Sequence, residues 1–235
     1  GNGTPVSNSN SLSFDGQDDY VDCGNIQFSG EELSFMCWVN LNNIATGSQN
    51  NIGNVFRNHW QDGNWLRFIG TRPSFNVNTI GGLPPEMESQ TSLNLNQWYY
   101  ISCTYDGSVM KIFIDGILDI QRPFSGVLTT YIQPEDNFYL GGANTGNSFA
   151  EFLDGTINDA SLWNHTLTQS EIQNYMSCPP TGNEAGLVGY WNFNEGTGST
   201  VTDLTSNGNN GIINGASWST QTPNQYCNNC TATDS

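Results

Sequence analysis

Alternating apolar and polar positions predict strands along most of the chain. The clearest run is residues 33–40. One alternating set consists of Leu33, Phe35, Cys37 and Val39, and the other of Ser34, Met36, Trp38 and Asn40. Because successive side chains of a strand point to opposite faces, this period of two predicts a half-buried strand. The first set, with Cys37, is expected to face inward.

Residues 98–116 predict a β-hairpin. Its first strand carries Tyr99, Ile101, Cys103 and Tyr105 on one face, and its return strand carries Met110, Ile112 and Ile114. Asp106-Gly107 between them is a turn dipeptide. Shorter strands are expected at residues 12–14, 20–23, 65–69, 138–140 and 157–163. Turn signals separate them at the spacing of a β-sandwich, and no βαβ alternation is present.

One helix is predicted after Thr168. Thr168 and Glu171 have the spacing of a capping box, and Leu167 and Ile172 that of a hydrophobic staple. The helix is expected to end at Cys178, which two prolines follow.

Composition narrows the class of partner. The 235 residues include 5 Lys and Arg against 22 Asp and Glu, a formal net charge of -17. Such a surface repels polyanions, so we expect neither nucleic acid nor an anionic membrane as partner. No apolar run approaches the roughly 18 residues of a membrane span, and no basic-then-apolar leader opens the chain. We therefore expect a mature soluble chain without membrane insertion.

The six cysteines favour disulfides over a metal-thiolate site. Cys227 and Cys230 form an isolated Cys-x-x-Cys pair without the second pair of a structural zinc site or the βαβ context of a redox motif. Disulfides are typical of oxidising compartments, so a secreted or cell-surface location is expected.

Four segments, in order, resemble a known family. They are "SLSFDGQDDYVDCGN", "LSFMCWVN", "QWYYISCTYDGSVMKIFIDG" and "FYLGGANTGNSFAEFLDGTINDASLWNHTLTQSEI". Together they cover roughly residues 12–176. They resemble laminin G-like and pentraxin-type domains of the concanavalin A-like lectin/glucanase superfamily. The resemblance implies an all-β fold, a two-sheet antiparallel jelly-roll sandwich with one short helix on the C-terminal side.

A strand-like aromatic segment follows the predicted helix. Residues 186–218 look like a segment that precedes the first strand in laminin G-like domains, and we expect them to return to the same sandwich as edge strands. One domain would then cover residues 1–227, with a linker beginning at 228–235. The alternative is a truncated second domain, which would leave Trp191, Phe193 and Trp218 exposed.

The resemblance also implies a disulfide. Pentraxins have cysteines at the positions of Cys37 and Cys103 that form an intradomain bridge. A bridge between Cys178 and Cys227 would attach the returning segment to the domain. Cys23 and Cys230 remain as a third pair or as free thiols, since six cysteines allow about 15 pairings.

The stretch "RNHWQDGNW", residues 57–65, is the leading candidate for sugar binding. Sugar recognition needs an aromatic platform for the apolar face of a pyranose and polar groups for its hydroxyls. The candidate ligand residues are Asn58, His59, Trp60, Asp62, Asn64 and Trp65, with Asn144 from a later loop. The alternative is structural, because tryptophan in a sandwich is more often core. Arg67 and Arg72 would suit an acidic sugar, against ordinary ion pairing.

Calcium is the one cofactor that the resemblance raises. Asp62 matches one ligand position of the pentraxin double-calcium site, but residues 142–145 lack the acidic ligands of its second loop, even with Glu151 nearby. We therefore expect no full double site. A structural calcium ion at Asn158, Asp159, Asp203 and Asn207 is weighed against simple Asx-turns.

No catalytic motif was found. The Glu-x-Asp-x-x-Glu arrangement of jelly-roll glucanases is absent, and neither histidine lies in a Ser/His/Asp grouping. The sequence therefore predicts a non-catalytic, lectin-like carbohydrate-binding or adhesion module, with a glycan and other domains of a larger secreted chain as partners. The alternatives are a jelly-roll polysaccharide-degrading enzyme and a protein-binding or spacer module of an adhesin.

Overall fold

The computed structural model describes residues 4–6, 8–26, 30–44, 51–58, 63–129, 137–144 and 148–227. Two large antiparallel sheets enclose one apolar core, to which both contribute. The strands are β1 (Thr4–Pro5), β2 (Ser11–Asp15), β3 (Tyr20–Asp22), β4 (Leu33–Leu41), β5 (Ile52–Asn58), β6 (Trp65–Ile69), β7 (Arg72–Asn76), β8 (Met87–Glu88), β9 (Trp98–Tyr105), β10 (Val109–Ile114), β11 (Ile117–Pro123), β12 (Phe138–Leu140), β13 (Ala143–Asn144), β14 (Phe149–Ala150), β15 (Asp154–Trp163), β16 (Leu187–Trp191), β17 (Thr200–Val201), β18 (Gly211–Asn214), β19 (Ser217–Ser219) and β20 (Tyr226–Cys227).

Each large sheet has eight strands. The helix-side sheet has the order β11-β10-β9-β4-β15-β2-β19, and β16 also pairs with β15. The arginine-side sheet has the order β17-β18-β3-β12-β5-β6-β7-β8. The all-β sandwich predicted from the sequence is confirmed.

Strand β4 shows how the helix-side sheet departs from simple alternation. Leu33, Phe35, Cys37 and Val39 face the core between the sheets, as predicted. The opposite side is not solvated, however, because Met36 and Trp38 belong to a second apolar cluster under the helix. The strand is therefore buried on both faces rather than half-buried.

The predicted helix is present as α1 (Gln169–Ser177). Its N-cap Thr168 accepts a hydrogen bond from the Glu171 backbone amide, and the Glu171 carboxylate accepts one from the Thr168 amide at 2.8 Å. Ile172 packs with Trp163 on the outside of the helix-side sheet. The described residues contain no helix long and apolar enough to cross a membrane.

The segment after the helix contributes strands to both sheets. β16 pairs with β15, β18 pairs with β3, and β19 pairs with β2, all antiparallel. Trp191 and Phe193 are fully buried in the main core, and Trp218 packs against it. Burial of these aromatic side chains stabilises the return of the segment by the hydrophobic effect. The outer boundaries, at 1–227 and 228–235, stay predictions.

The cysteines differ in part from the expectation. Cys178 and Cys227, 49 positions apart in the sequence, form a disulfide. Cys37 and Cys103 are free, buried thiols, so the bridge implied by the resemblance is absent. Cys37 lies opposite Ile101 and Cys103 opposite Phe35, which makes the two cysteines diagonal neighbours. Such positions are about 7–8 Å apart, beyond the usual span of a disulfide.

Burial raises the pKa of the Cys37 and Cys103 thiols. Both therefore remain protonated, in the form that packs as a small apolar group. Cys23 is also a free, buried thiol. Its suggested partner, Cys230, lies outside the described residues.

Candidate functional site

The outer face of the arginine-side sheet is polar. In β6, Leu66 and Phe68 belong to the core, so the alternating Trp65 and Arg67 face outward. The same alternation turns Arg57 outward in β5, where Phe56 is core. Local pattern thus creates a face rich in hydrogen-bonding groups.

Cross-strand register aligns four of these outward residues. Asn76 pairs with Trp65, Trp65 with Arg57, and Arg57 with Tyr139. We call Asn76, Trp65, Arg57 and Tyr139 the polar row. Residues directly opposite one another on antiparallel strands are close enough for their side chains to interact. All four side chains are largely buried.

Two arginines and two glutamates form an ion-pair network beside the polar row. Glu151 contacts Arg57 at 3.2 Å and Arg67 at 3.5 Å through one carboxylate oxygen. Arg67 also contacts Glu86 at 2.7 Å, and the Ser74 hydroxyl donates to the same Glu86 oxygen at 2.6 Å. The network brings two positive and two negative charges together.

Burial and pairing act in opposite directions on these groups. Burial lowers the pKa of Arg57 to about 10, although Glu151 favours its charged form. Burial also opposes ionisation of Glu86, but hydrogen bonds from Arg67 and Ser74 outweigh it and hold the pKa of Glu86 below its ordinary value. Both groups are therefore charged at neutral pH.

Trp65 contacts both arginines. The guanidinium carbons of Arg57 and Arg67 lie 4.7 and 4.8 Å from the centre of its ring. These are cation–π distances. The indole is only 6% exposed. Trp65, a predicted sugar platform, thus packs within the network.

The other predicted ligand residues fall into two groups. Asn58 and Asn64 are buried, and the Asn58 side-chain oxygen accepts a hydrogen bond from the Asn64 amide at 2.7 Å, so they brace the connection between β5 and β6. The Asn144 side chain donates to the Tyr139 hydroxyl at 3.2 Å, next to the polar row. His59, Trp60 and Asp62 lie outside the described residues.

An aromatic cluster beside the polar row was not predicted as part of a site. Tyr20 stacks on Phe149 with ring centres 3.8 Å apart, and Phe149 meets Tyr139 edge to face at 5.3 Å. The signal was present for Tyr139, because it alternates with the core residues Phe138 and Leu140 in a predicted strand. Phe149 gives no such signal, since β14 has only two residues.

The predicted calcium residues do not converge on one point. One Asp203 oxygen accepts from the Tyr190 and Thr205 amides at 3.0 Å each, and the other from the Thr205 hydroxyl and the Asn209 amide at 2.8 Å each. Asn207 donates to the Val188 carbonyl at 2.9 Å. These contacts match the Asx-turn alternative.

Asn158 and Asp159 contact other partners. Asn158 donates to the Asn10 carbonyl at 2.7 Å, and Asp159 accepts from the Tyr190 hydroxyl at 2.7 Å. Asp203 thus contacts the backbone amide of Tyr190, whereas Asp159 contacts the hydroxyl group at the end of the Tyr190 side chain. The four predicted ligands do not form one coordination sphere, so they do not fit a shared calcium ion.

Asp159 is a buried acid without an ion pair in the described part of the chain. Burial raises its pKa to about 6, although hydrogen bonds from Tyr190 and Gln225 favour the charged form.

A separate group of acids lies at the turn after β2, where Asp15, Asp18 and Asp19 bring carboxylate oxygens within 4.8 Å of one another. The Asp19 carboxylate already accepts from the Asp15 amide at 2.9 Å, as expected for a turn.

Two solved structures share the fold over most of this chain. A protein from Bacteroides ovatus, provisionally named a carbohydrate-binding protein, superposes with a TM-score of 0.73 at 15% identity, covering 95% of this chain and 63% of its own. The chain thus spans less than two thirds of that protein. A heptameric SAP-like pentraxin from Limulus polyphemus superposes with a TM-score of 0.55 at 13% identity, covering 73% of this chain and 83% of its own.

The first superposition extends beyond residue 173, so it includes most of the returning segment. Comparison with curated protein sequences finds no significant match. A family model of laminin G type, described as the concanavalin A-like lectin/glucanases superfamily, matches residues 15–173, which is more than half of the chain. The chain therefore belongs to the concanavalin A-like lectin/glucanase superfamily.

Proposed function

We propose that this chain is a non-catalytic, lectin-like carbohydrate-binding module of a secreted or cell-surface protein. The observation that carries the proposal is the composition of the outer face of the arginine-side sheet. The partly exposed rings of Tyr20 and Phe149 lie beside Tyr139, whose hydroxyl accepts a hydrogen bond from the Asn144 side chain. Aromatic and amide groups therefore occur together there, the combination that sugar recognition requires. The Bacteroides ovatus structure supports this class of ligand through its provisional name.

The electrostatics of the same face favour binding over catalysis. A glycosidase needs one carboxyl group that is protonated near neutral pH. The pKa of Glu86 is lowered instead, and Glu151 contacts two guanidinium groups. Glu86 therefore does not have the environment of a proton donor. An extracellular location is supported by the Cys178–Cys227 disulfide.

The Asn58–Trp65 connection is the proposed contact region for the glycan, with Trp60 as its aromatic platform and Asn144 nearby. A glycan array tests this, first with calcium and then with chelator. We expect a signal that Trp60→Ala abolishes and that the control Trp218→Ala, on edge strand β19, leaves unchanged.

The other outcomes discriminate the alternatives. An array without signal would favour a protein-binding or spacer module. Hydrolysis of a polysaccharide panel, lost in Glu151→Ala or Asp154→Ala, would instead establish an enzyme. A signal that disappears with chelator would support calcium, while an unaffected signal would favour direct stacking.

A further inference from the structure

A cavity of about 470 Å³ lies where β7 leads into the next loop. Its walls are Asn78, Thr79, Ile80, Gly82, Leu83 and Thr129. Ligand pockets in proteins typically measure about 300–1,000 Å³. The volume is therefore sufficient for a small ligand or one unit of a larger one.

Backbone hydrogen bonds fix the shape of this cavity. The Gly82 amide donates to the Thr79 carbonyl at 2.8 Å and closes a tight turn. The Ile80 amide donates to the Val127 carbonyl at 2.9 Å, and the Thr129 amide to the Asn78 carbonyl at 2.9 Å. A preformed pocket avoids the entropic cost of ordering its walls when a ligand binds.

The lining combines apolar and hydroxyl-binding groups. Ile80 is 78% exposed and Leu83 is 40% exposed. The side-chain amide of Asn78 and the side-chain hydroxyls of Thr79 and Thr129 belong to the same lining. A pyranose has the complementary character, with apolar C–H groups on its faces and hydroxyls around its edge. Contact with such a face would cover apolar side chains that now meet water.

Charge narrows the ligand further. None of the six described lining residues is ionisable. Of the arginines, Arg57 and Arg67 pair with glutamates, Arg122 donates to the Pro85 carbonyl, and Arg72 to the Ser92 hydroxyl. On a chain of net charge -17, an acidic sugar would meet repulsion, and the described lining residues offer no cation to compensate it.

The cavity continues the outer face that carries the polar row. Asn76 and Asn78 alternate with the core residues Phe75 and Val77, so both lie on the outer side. Among the described residues, the buried Asn76 side-chain oxygen has no hydrogen-bond partner. The backbone amide of Asn78 donates to the Asn64 side-chain oxygen at 2.9 Å, and this hydrogen bond joins the cavity to the β5–β6 connection.

We propose that this cavity binds a neutral hexose unit of the glycan, with Ile80 and Leu83 against the sugar face and Asn78 and Thr129 at its hydroxyls. The inference rests on the proposed function and specifies the subsite and the chemical class of its ligand.

The test is titration calorimetry with neutral gluco-, galacto- and manno-configured tetrasaccharides and with the corresponding uronic acid tetrasaccharides. We expect at least one neutral compound to bind and its uronic acid counterpart to bind more weakly. Ile80→Asp should weaken the neutral ligand by about tenfold or more, because a carboxylate must then be desolvated against the sugar. Thr129→Val, which keeps the shape but removes one hydroxyl, should cause a smaller loss.

The matched control is Ile117→Asp, since Ile117 is similarly exposed but lies on β11 of the other sheet. It should bind like the unaltered chain, and thermal unfolding should show that both Asp variants are folded. Glycan binding that is unchanged in Ile80→Asp would overturn the subsite while leaving the proposed function intact. Stronger binding of the uronic acid would overturn the ligand class. No binding of any compound, together with an array without signal, would overturn both.

Discussion

The two outer faces of the sandwich differ in what lies on them. On the helix-side sheet, α1 and β16 form an apolar layer in which Met36, Tyr100, Trp163 and Ile172 are buried. On the arginine-side sheet, guanidinium and carboxylate groups surround Trp65. The outer side of the helix-side sheet is therefore covered by apolar side chains, whereas the outer side of the arginine-side sheet carries charged groups that pair with one another.

Each side also contains an acid that is partly or fully shielded from solvent, Glu151 on one side and Asp159 on the other, and their surroundings differ. Glu151 contacts two arginines, while Asp159 has only neutral hydrogen-bond donors among the described residues. Burial alone disfavours a charged carboxyl group, and a nearby cation compensates. The pKa of Asp159 is accordingly raised to about 6. On the arginine-side sheet the carboxylate charge is thus compensated by guanidinium groups, whereas Asp159 on the helix side has no such compensation among the described residues.

The largest expected effect is on the helix-covered face. Trp163→Ala should lower the free energy of unfolding by about 3–5 kcal/mol, because it leaves a large cavity beneath α1. Urea unfolding measures this. The control Trp218→Ala, only partly buried on an edge strand, should cost clearly less. Equal costs would mean that the helix layer contributes little.

Removing the Glu151 carboxylate, which contacts both Arg57 and Arg67, tests the ion-pair network of the arginine-side sheet. Glu151→Gln should destabilise by about 3 kcal/mol, since it leaves the buried Arg57 without its ion pair to Glu151. The control Glu88→Gln, exposed on β8, should change stability by less than about 0.5 kcal/mol. If the two variants unfold alike, the network is not a stabilising feature of this face.

Because Asp159 has no compensating cation among the described residues, we expect the free energy of unfolding to depend on pH. Its carboxyl titrates near 3.8 ordinarily and at about 6 when folded, so the folded state binds more protons between these values. The free energy of unfolding should therefore fall as pH rises from 4 to 6, by on the order of 2 kcal/mol from this group.

Asp159→Asn removes that titration. Urea unfolding between pH 4 and 7 should show the stability of the variant rising relative to the unaltered chain as pH increases through 6. Parallel curves for the two proteins would contradict a raised pKa at Asp159.

The smallest expected effect on stability comes from the N-cap of α1. Thr168→Ala removes the side chain that caps α1 and should cost about 1 kcal/mol. Ser170→Ala, in the first turn of the same helix, is the control and should be near neutral. Thermal unfolding of the pair measures the contribution of the cap, and indistinguishable transitions would show that packing alone fixes the helix.

The helix-side elements were predictable because their signals are local. The capping box at Thr168 and the alternation in β4 both follow from residues within a few positions of each other. The burial of Met36 was not predictable in this way. Met36 belongs to an apolar cluster that includes Ile172, far along the chain, and the period of two in β4 does not indicate that a helix will lie on its outer face.

The arginine-side site depends on contacts that are distant in sequence. Arg57 and Glu151 are 94 residues apart. β7 contains Pro73, which argues against a strand by propensity, and β5 mixes glycine, asparagine and arginine. Polar neighbours made Trp65 a plausible sugar platform, yet the same neighbours lie on strands whose register brings two arginines to its ring.

The link between Cys178 and Cys227 changes how the chain would carry mechanical load. Tension applied at residue 227 would pass through the covalent bond to residue 178, which is 49 positions away in the sequence, and bypass the residues between them. Strands β16 to β19 all lie within that bypassed stretch. Pulling on this end would therefore strain the helix terminus and the short β1–β20 ladder first, while the late strands stay seated in both layers until the bond is reduced.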